Sequence, residues 1–375
     1  MVPMLYATTA TTRLDHIRAN LDAIRARVGG RLVLAAVKAD AYGHGAVPVS
    51  RMLEATGAAD WLGVATVDEA VAIRDAGVRL PILKLSHALG DDEVAACVER
   101  DVDLAVVSAE SIDQVARVAA GLGRTASVHL KVDTGMRRIG CPPEAAPDLA
   151  RRADAAGLRL RGLFSHLPVS DTEGGREFTE AQVALFADVL DAVTAARGRV
   201  EIAHLANSGG VLMHPDSWFD MVRPGIMVYG SLPDPTTPAT VPLLPGLEWT
   251  TRVTFTKPVA AGESVGYGRT WVAPLDTTIA TIPVGYGDGY SRLLSNRGRV
   301  LIGGAAYPIV GRVCMDQTMV DLGPDSTVAT GDEVALVGRQ GDEEITVQDV
   351  ADLMRTIPYE VTCLINARVA RATVG

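Results

Sequence analysis

The stretch Leu32-Val33-Leu34-Ala35-Ala36-Val37-Lys38-Ala39-Asp40-Ala41-Tyr42-Gly43-His44-Gly45 is an apolar, strand-like run that ends on a lysine, with a tyrosine and two glycines following at once. A lysine delivered to the end of a buried strand is costly unless it is paired or chemically used. Two readings stand at this point. In one the ammonium simply reaches water at the strand's end; in the other Lys38 carries a carbonyl cofactor as a Schiff base.

Outward from this stretch the chain has a rhythm. Before it, Leu14, Ile17, Leu21, Ile24 and Val28 alternate spacings of three and four, one apolar helix face closed by Gly29-Gly30. After it, apolar runs recur at 61–66, 81–86, 103–108, 126–133, 159–166, 200–207 and 221–226. Helix-spaced segments lie between most of them, at 67–76, 111–122, 144–156 and 178–196. Eight strand-like runs separated by helices predict a (β/α)8 TIM-like barrel of about 230 residues. A doubly wound open sheet is the rival, but it would show fewer strands and, for a dinucleotide, a G-x-G-x-x-G after the first one. The spacing from Lys38 to Gly45 does not match that motif.

Past Gly230 the character changes. Residues 231–246 hold five of the 20 prolines, which predicts a domain edge. Beyond it come short β-branched runs at 249–256, 277–284, 300–302, 309–313, 319–322 and 333–337, with a helical pattern only at 347–354. The chain thus divides into a barrel, residues 1–240, and a mostly β domain, residues 241–375; the first few residues are free to pair with the second.

The bulk properties narrow the function. With 48% hydrophobic and 21% charged residues the composition is ordinarily globular, and no run approaches the ~20 apolar residues of a membrane span. Met1–Tyr6 lacks the basic and apolar blocks of a signal peptide. Cys97, Cys141, Cys314 and Cys363 are far apart, which suggests neither disulfides nor a metal site and fits a reducing cytoplasm. A net charge of −10 argues against nucleic acid as a partner.

A barrel carries its chemistry at the C-terminal ends of its strands. Those ends read Lys38, Lys131 with Asp133, His166, Asn207-Ser208 and Arg223-Pro224-Gly225. The loops after the last two strands, Asn207-Ser208-Gly209-Gly210 and Gly225-Ile226, are where barrels commonly hold phosphate through backbone N–H groups. Outside a barrel, Asn-Ser-Gly-Gly would be only a turn.

Six separated motifs then carry a resemblance: Val37 to Gly45, Lys131-Val132-Asp133-Thr134-Gly135-Met136, Arg223-Pro224-Gly225-Ile226, Gly266-Tyr267-Gly268, Cys314-Met315-Asp316-Gln317 and Ile357-Pro358-Tyr359-Glu360. In this order they resemble alanine racemase, the pyridoxal-phosphate enzyme built of a barrel and a C-terminal β domain. The resemblance implies interconversion of L- and D-alanine by two bases through an external aldimine with pyridoxal 5'-phosphate, supplying D-alanine for cell-wall peptidoglycan. It assigns Lys38 as cofactor anchor and one base, and Tyr267 as the base on the opposite face. His166 and Arg223 occupy the family positions of a line running from that tyrosine, Arg223 facing the pyridine nitrogen. Tyr42 and Tyr359 join Ser208, Asn207, Gly225 and Ile226 around the phosphate. Arg138 is assigned to the substrate carboxylate, Met315 and Asp316 to the substrate end, and Lys131 to a carbamylated lysine. The resemblance implies a homodimer with shared sites, the β domain of one subunit covering the partner's barrel mouth; the sequence leaves open whether Tyr267 meets the Lys38 of its own chain or of the partner. No metal, nucleic acid or membrane enters.

Alternatives stay open. A serine or broader amino-acid racemase would use the same residues, since a small pocket rejects one hydroxyl weakly. A non-catalytic pyridoxal-phosphate-binding protein is disfavoured by residues 247–375, which that class lacks. A related decarboxylase or aldolase is disfavoured by Tyr267 and by histidines that all precede residue 215. The chain also departs from the family pattern at Leu167-Pro168-Val169-Ser170-Asp171, where an aromatic-Ala-x-Ala-Asp run is usual, and at Gly209-Gly210, where alanines are frequent.

Overall fold

The computed structural model describes residues 6–375, so most of the expectation about a leader at Met1–Tyr6 lies outside the described residues. The strand β1 (Thr9–Arg13) leads into the helix Leu14–Val28, whose buried face is Ile17, Leu21, Ile24 and Val28 together with Asn20. Asn20 is tolerated inside because its amide donates to Val228 O and Leu244 O at 3.1 and 2.9 Å.

Eight parallel strands follow: β2 (Leu32–Ala36), β3 (Trp61–Val64), β4 (Ile82–Lys84), β5 (Val102–Val106), β6 (Ser127–Lys131), β7 (Arg159–Phe164), β8 (Ile202–His204) and β9 (Met221–Val222). They bond in chain order from β2 to β8, and β9 lies on the free edge of β2. The seam between β8 and β9 is bridged by Asp220 N–H to Ala203 O at 3.0 Å and Arg223 N–H to Ala206 O at 2.9 Å. This is the barrel the rhythm of apolar runs predicts. Every strand stops a few residues before its apolar run does, so the residues at the run ends stand on the rim.

Lys38 opens a turn of unusual hand. Ala39, Asp40, Ala41 and Tyr42 all have φ between 51° and 54°, a left-handed helical turn built from residues that are not glycine. Such backbone costs ~1–2 kcal/mol per residue, so it persists only where its surroundings hold it. Glu69 accepts from Ala39 N at 2.7 Å, Asp40 accepts from Ala46 N at 2.7 Å, and Thr12 donates to the His44 carbonyl at 2.8 Å. Arg371, from the far end of the chain, donates to the Gly43 carbonyl at 2.7 Å.

The second domain holds a seven-stranded sheet in which β1 sits between β10 (Leu247–Arg252) and the last strand, Ala370–Val374. A separate three-stranded sheet is formed by Phe255–Val259, Thr277–Ile282 and Thr318–Gly323. A small hairpin pairs Ser264–Val265 with Trp271–Val272. The core of the second domain gathers around Trp249 and Tyr290. No helix among the described residues is long and apolar enough to cross a membrane.

Several elements differ from their sequence expectation. The run 249–256 is two strands, because the chain leaves one sheet at Val253 and enters another at Phe255. The run 309–313 is not a strand: Ile309 makes a single bridge to Val320, and Gly311 at φ 73° turns the chain away. Four helices had no clear spacing signal: Ala46–Thr56, Asp91–Glu99, Ser208–Met213 and Pro358–Leu364.

Candidate active site

A cavity of about 600 Å³ opens at the C-terminal rim of the barrel. Lys38, Tyr42, Lys131, Arg138, His166, Asn207, Ser208, Arg223, Gly225 and Tyr359 all line it. They come from five strand ends and from the helix Pro358–Leu364, which leans on the left-handed turn. The rings of Tyr42 and Tyr359 lie 5.8 Å apart, centroid to centroid. Two lysines, two arginines and no carboxylate among the described residues line the space. Such a lining suits a ligand that carries more than one negative charge.

The basic groups act on one another. Lys38 Nζ makes no hydrogen bond or ion pair among the described residues, and its pKa is lowered, first by burial and then by the Arg138 charge. Lys84, at the end of β4, is the contrast: its ammonium donates to Ser86 O, Ser86 Oγ and His87 O. Lys131 is driven down to about 7 by burial, by Arg223 and Arg138, and by Lys38. Arg223 is buried and lowered to about 9 by that burial, with carbonyls and a ring nitrogen as its partners instead of a carboxylate. His166 Nδ1 lies 3.4 Å from Arg223, and burial and that charge hold the imidazole neutral.

The phosphate-loop candidates are tightly built. Asn207 caps the helix Ser208–Met213 by accepting from Gly210 N at 3.0 Å, and Ser170 Oγ donates to the same Asn207 oxygen at 2.7 Å. Ser208 Oγ accepts from Gly225 N at 2.9 Å, which ties the two loops together. A Cβ on Gly209 would lie 2.7 Å from Ser170, so the two departures at 170 and 209 pack against each other. Ile226 is buried beside this loop but does not line the cavity.

Three candidates stand elsewhere in this chain. Tyr267 sits on the small hairpin, 73% exposed, beside a separate hollow lined by Tyr286, Arg292 and Arg312. Met315 is exposed, and Asp316 pairs with Arg368 at 2.8 Å. Sequence reasoning missed the apolar walls Leu85, Ile139 and Phe164 and the polar Ser86. It also missed Asp103, His129 and His204, buried titratable residues on parallel strands. Their signal was available: a buried polar residue inside such a strand needs a partner. Among the described residues no group of three or more His, Cys, Asp or Glu is arranged to hold a metal ion.

Comparison with known proteins matches the chain in two parts. Residues 12–233 match the family model "Alanine racemase, N-terminal domain" and residues 246–373 match "Alanine racemase, C-terminal domain". The chain is 51% identical over 363 residues to an alanine racemase of Cutibacterium acnes, covering 96% of each protein. The crystal structure of an alanine racemase from D-cycloserine-producing Streptomyces lavendulae superposes with a TM-score of 0.92 at 37% identity, over 99% of this chain and 98% of that one. A histidine racemase from Leuconostoc mesenteroides superposes with a TM-score of 0.90 at 30% identity, over 99% of both.

Proposed function

Because this chain belongs to the alanine racemase family and is an enzyme, we propose that it interconverts L- and D-alanine with two bases, Lys38 and Tyr267, and with pyridoxal 5'-phosphate as cofactor. One observation carries the proposal: Lys38, with a depressed pKa and no bonding partner among the described residues, stands in a cavity lined by two lysines, two arginines and no acid.

The residues fit the cofactor. A Cβ on Gly225 would fall 2.6 Å from the Tyr42 hydroxyl, so glycine there leaves the backbone and that hydroxyl converging on one small space. Ser208, Asn207, Tyr42, Tyr359 and the backbone at Gly225 and Ile226 would hold the phosphate. Lys38 would anchor the carbonyl and Arg223 would face the ring nitrogen. When bound, the cofactor supplies an electron sink for the charge left on the substrate α-carbon.

This chain's own groups move the protons. Lys38 Nζ takes the α-proton from one face, and its lowered pKa leaves the free amine available closer to neutrality. Arg138 receives the substrate carboxylate. Lys131, brought to about 7, has enough unprotonated amine to react with carbon dioxide, and the resulting carbamate would orient Arg138. Arg223 keeps its proton and offers N–H donors only, which limits how strongly the ring withdraws charge and restrains side reactions.

Tyr267 returns a proton to the opposite face from a second subunit, with Met315 and Asp316 closing the substrate end. What supports this shared site is the exposure of Tyr267 and Met315 on the second domain, apart from the cavity that holds Lys38. The setting proposed is the cytoplasm, with D-alanine destined for peptidoglycan; the four free cysteines fit a reducing compartment.

The test is exchange in deuterium oxide. The purified holoenzyme incubated with L-alanine should yield D-alanine carrying α-deuterium, and no exchange would remove the proposal. L-serine and L-histidine run in parallel, because the fold is shared with a racemase named for another amino acid. Serine exchange at a comparable rate would replace the alanine-specific reading with a broader one.

A further inference from the structure

Beneath the cavity a line of hydrogen bonds runs through the barrel interior. Arg223 donates to His204 Nδ1 at 2.9 Å, His204 Nε2 lies 2.9 Å from His129 Nδ1, and His129 Nε2 lies 3.2 Å from Asp103 Oδ2. Both imidazoles are fully buried and Asp103 is 5% exposed. Phe164 stacks on His204 at 4.8 Å and Trp61 meets His129 edge-on at 5.5 Å, so apolar rings wall the line off from water. Asp103 also receives Arg161 at 3.4 Å near the opposite mouth of the barrel.

Only one arrangement of protons satisfies all three contacts. A guanidinium has donors and no acceptor, so His204 Nδ1 must present a lone pair. Its proton is then on Nε2 and is donated to His129 Nδ1. The remaining proton of His129 is on Nε2 and goes to the carboxylate of Asp103. A proton on His129 Nδ1 would meet the proton on His204 Nε2, and a proton on His204 Nδ1 would meet the guanidinium. Arg223 at one end and the Asp103 carboxylate at the other therefore demand the same arrangement, and each satisfies one end of it. Relays of this kind fix the tautomer and orientation of the group at their end.

We propose that Asp103, His129 and His204 are positioning residues for the reaction: a hydrogen-bonded relay that holds the Arg223 guanidinium in the pose from which it meets the cofactor ring nitrogen. This rests on the functional reading above, which places Arg223 at that nitrogen. None of the three relay residues lines the cavity, so none touches substrate or cofactor directly.

The test uses 15N-histidine-labelled protein at pH 7.5, with and without pyridoxal 5'-phosphate, the two rings being assigned through His129→Asn and His204→Asn. Both rings should give the spectrum of the neutral Nε2–H tautomer in either state. Asp103→Asn keeps an acceptor and should preserve both tautomers, with the ratio of racemisation to pyruvate formation within about twofold of the parent. Asp103→Leu leaves the His129 Nε2–H without its acceptor, so it should shift the 15N signal of that nitrogen and lower that ratio about fivefold or more. Should Asp103→Leu not fold, His129→Asn, too short to reach both neighbours, takes its place for the ratio, and the 15N shift of His204 Nε2 then reports the lost partner. A proton on Nδ1 of either ring in the parent protein overturns the proposal, as does a break in the relay that moves only one of the two readouts. Absence of alanine racemisation in the parent protein would instead defeat the functional reading, and the tautomers would still decide whether the relay exists.

Discussion

The hydroxyl of Tyr42 stands so close to Gly225 that a β-carbon on the glycine would lie 2.6 Å from it. Replacing Gly225 by Ala should push the tyrosine out of the cradle it forms with the phosphate loop. Overpacking of this kind costs ~1–3 kcal/mol, which at the cofactor corresponds to roughly a tenfold loss of affinity or more. Equilibrium titration of the cofactor-free protein with pyridoxal 5'-phosphate measures it; unaltered affinity in Gly225→Ala would show that the cradle is not where the phosphate binds.

Lys131 should show its depressed pKa in two ways. Above pH about 7 its amine is unprotonated, so 13C-bicarbonate should add a carbamate resonance that fades below that pH and is missing in Lys131→Met. The unfolded lysine titrates near 10.4, so between about 7 and that value the unfolded chain binds the extra proton. This group's contribution to stability therefore rises with pH across that window, being fully unfavourable below it. Denaturation of parent and Lys131→Met without cofactor should converge toward pH 10; a gap that widens with pH would contradict the assignment.

Two inactive variants should restore each other. In a dimer with shared sites, co-expressed Lys38→Ala and Tyr267→Phe chains form mixed dimers in which one site is wholly intact. Random pairing gives about half mixed dimers with one good site each, hence about a quarter of the parent activity. Mixed dimers verified by mass and still inactive would place both bases in one chain.

Ser170 and Gly209 should be separable by size of effect. Ser170→Ala removes one hydrogen bond to Asn207 and should cost ~1 kcal/mol. Gly209→Ala drives a methyl against the Ser170 backbone and hydroxyl, and should cost ~1–3 kcal/mol and weaken cofactor binding as well. Thermal melts with and without pyridoxal 5'-phosphate rank the two, and the reverse order would argue that the loop relaxes around residue 209.

The barrel was legible because each buried strand is a short apolar run, and Leu34, Leu62, Ile82 and Leu104 repeat that signal. Helices were harder where the pattern is interrupted. Pro48 sits in the first turn of Ala46–Thr56, and Gly209 and Gly210 open Ser208–Met213, so each looks like loop. Within the site, Lys38, Lys131 and Arg223 could be found because they stand where apolar runs end. The sequence carries no sign that Asp103, His129 and His204 touch, since strand register decides it: His129 is on β6, His204 on β8 and Asp103 on β5. The lowering of the Lys38 pKa was likewise out of reach, because its first cause is burial in the folded barrel and its second, Arg138, is a hundred residues away along the chain.

The left-handed turn after Lys38 gives synthesis itself a direction. Its Gly43 leaves no room for a side chain against Thr362 O, and its carbonyl is bonded by Arg371. The first strand, Thr9–Arg13, is parallel to and paired with Ala370–Val374. A barrel emerging from the ribosome therefore has its lysine in hand but not the clamp that shapes the backbone beside it. On the proposed function, cofactor capture would wait for the final stretch of the chain, and a prematurely ended product would be a barrel without a finished hook.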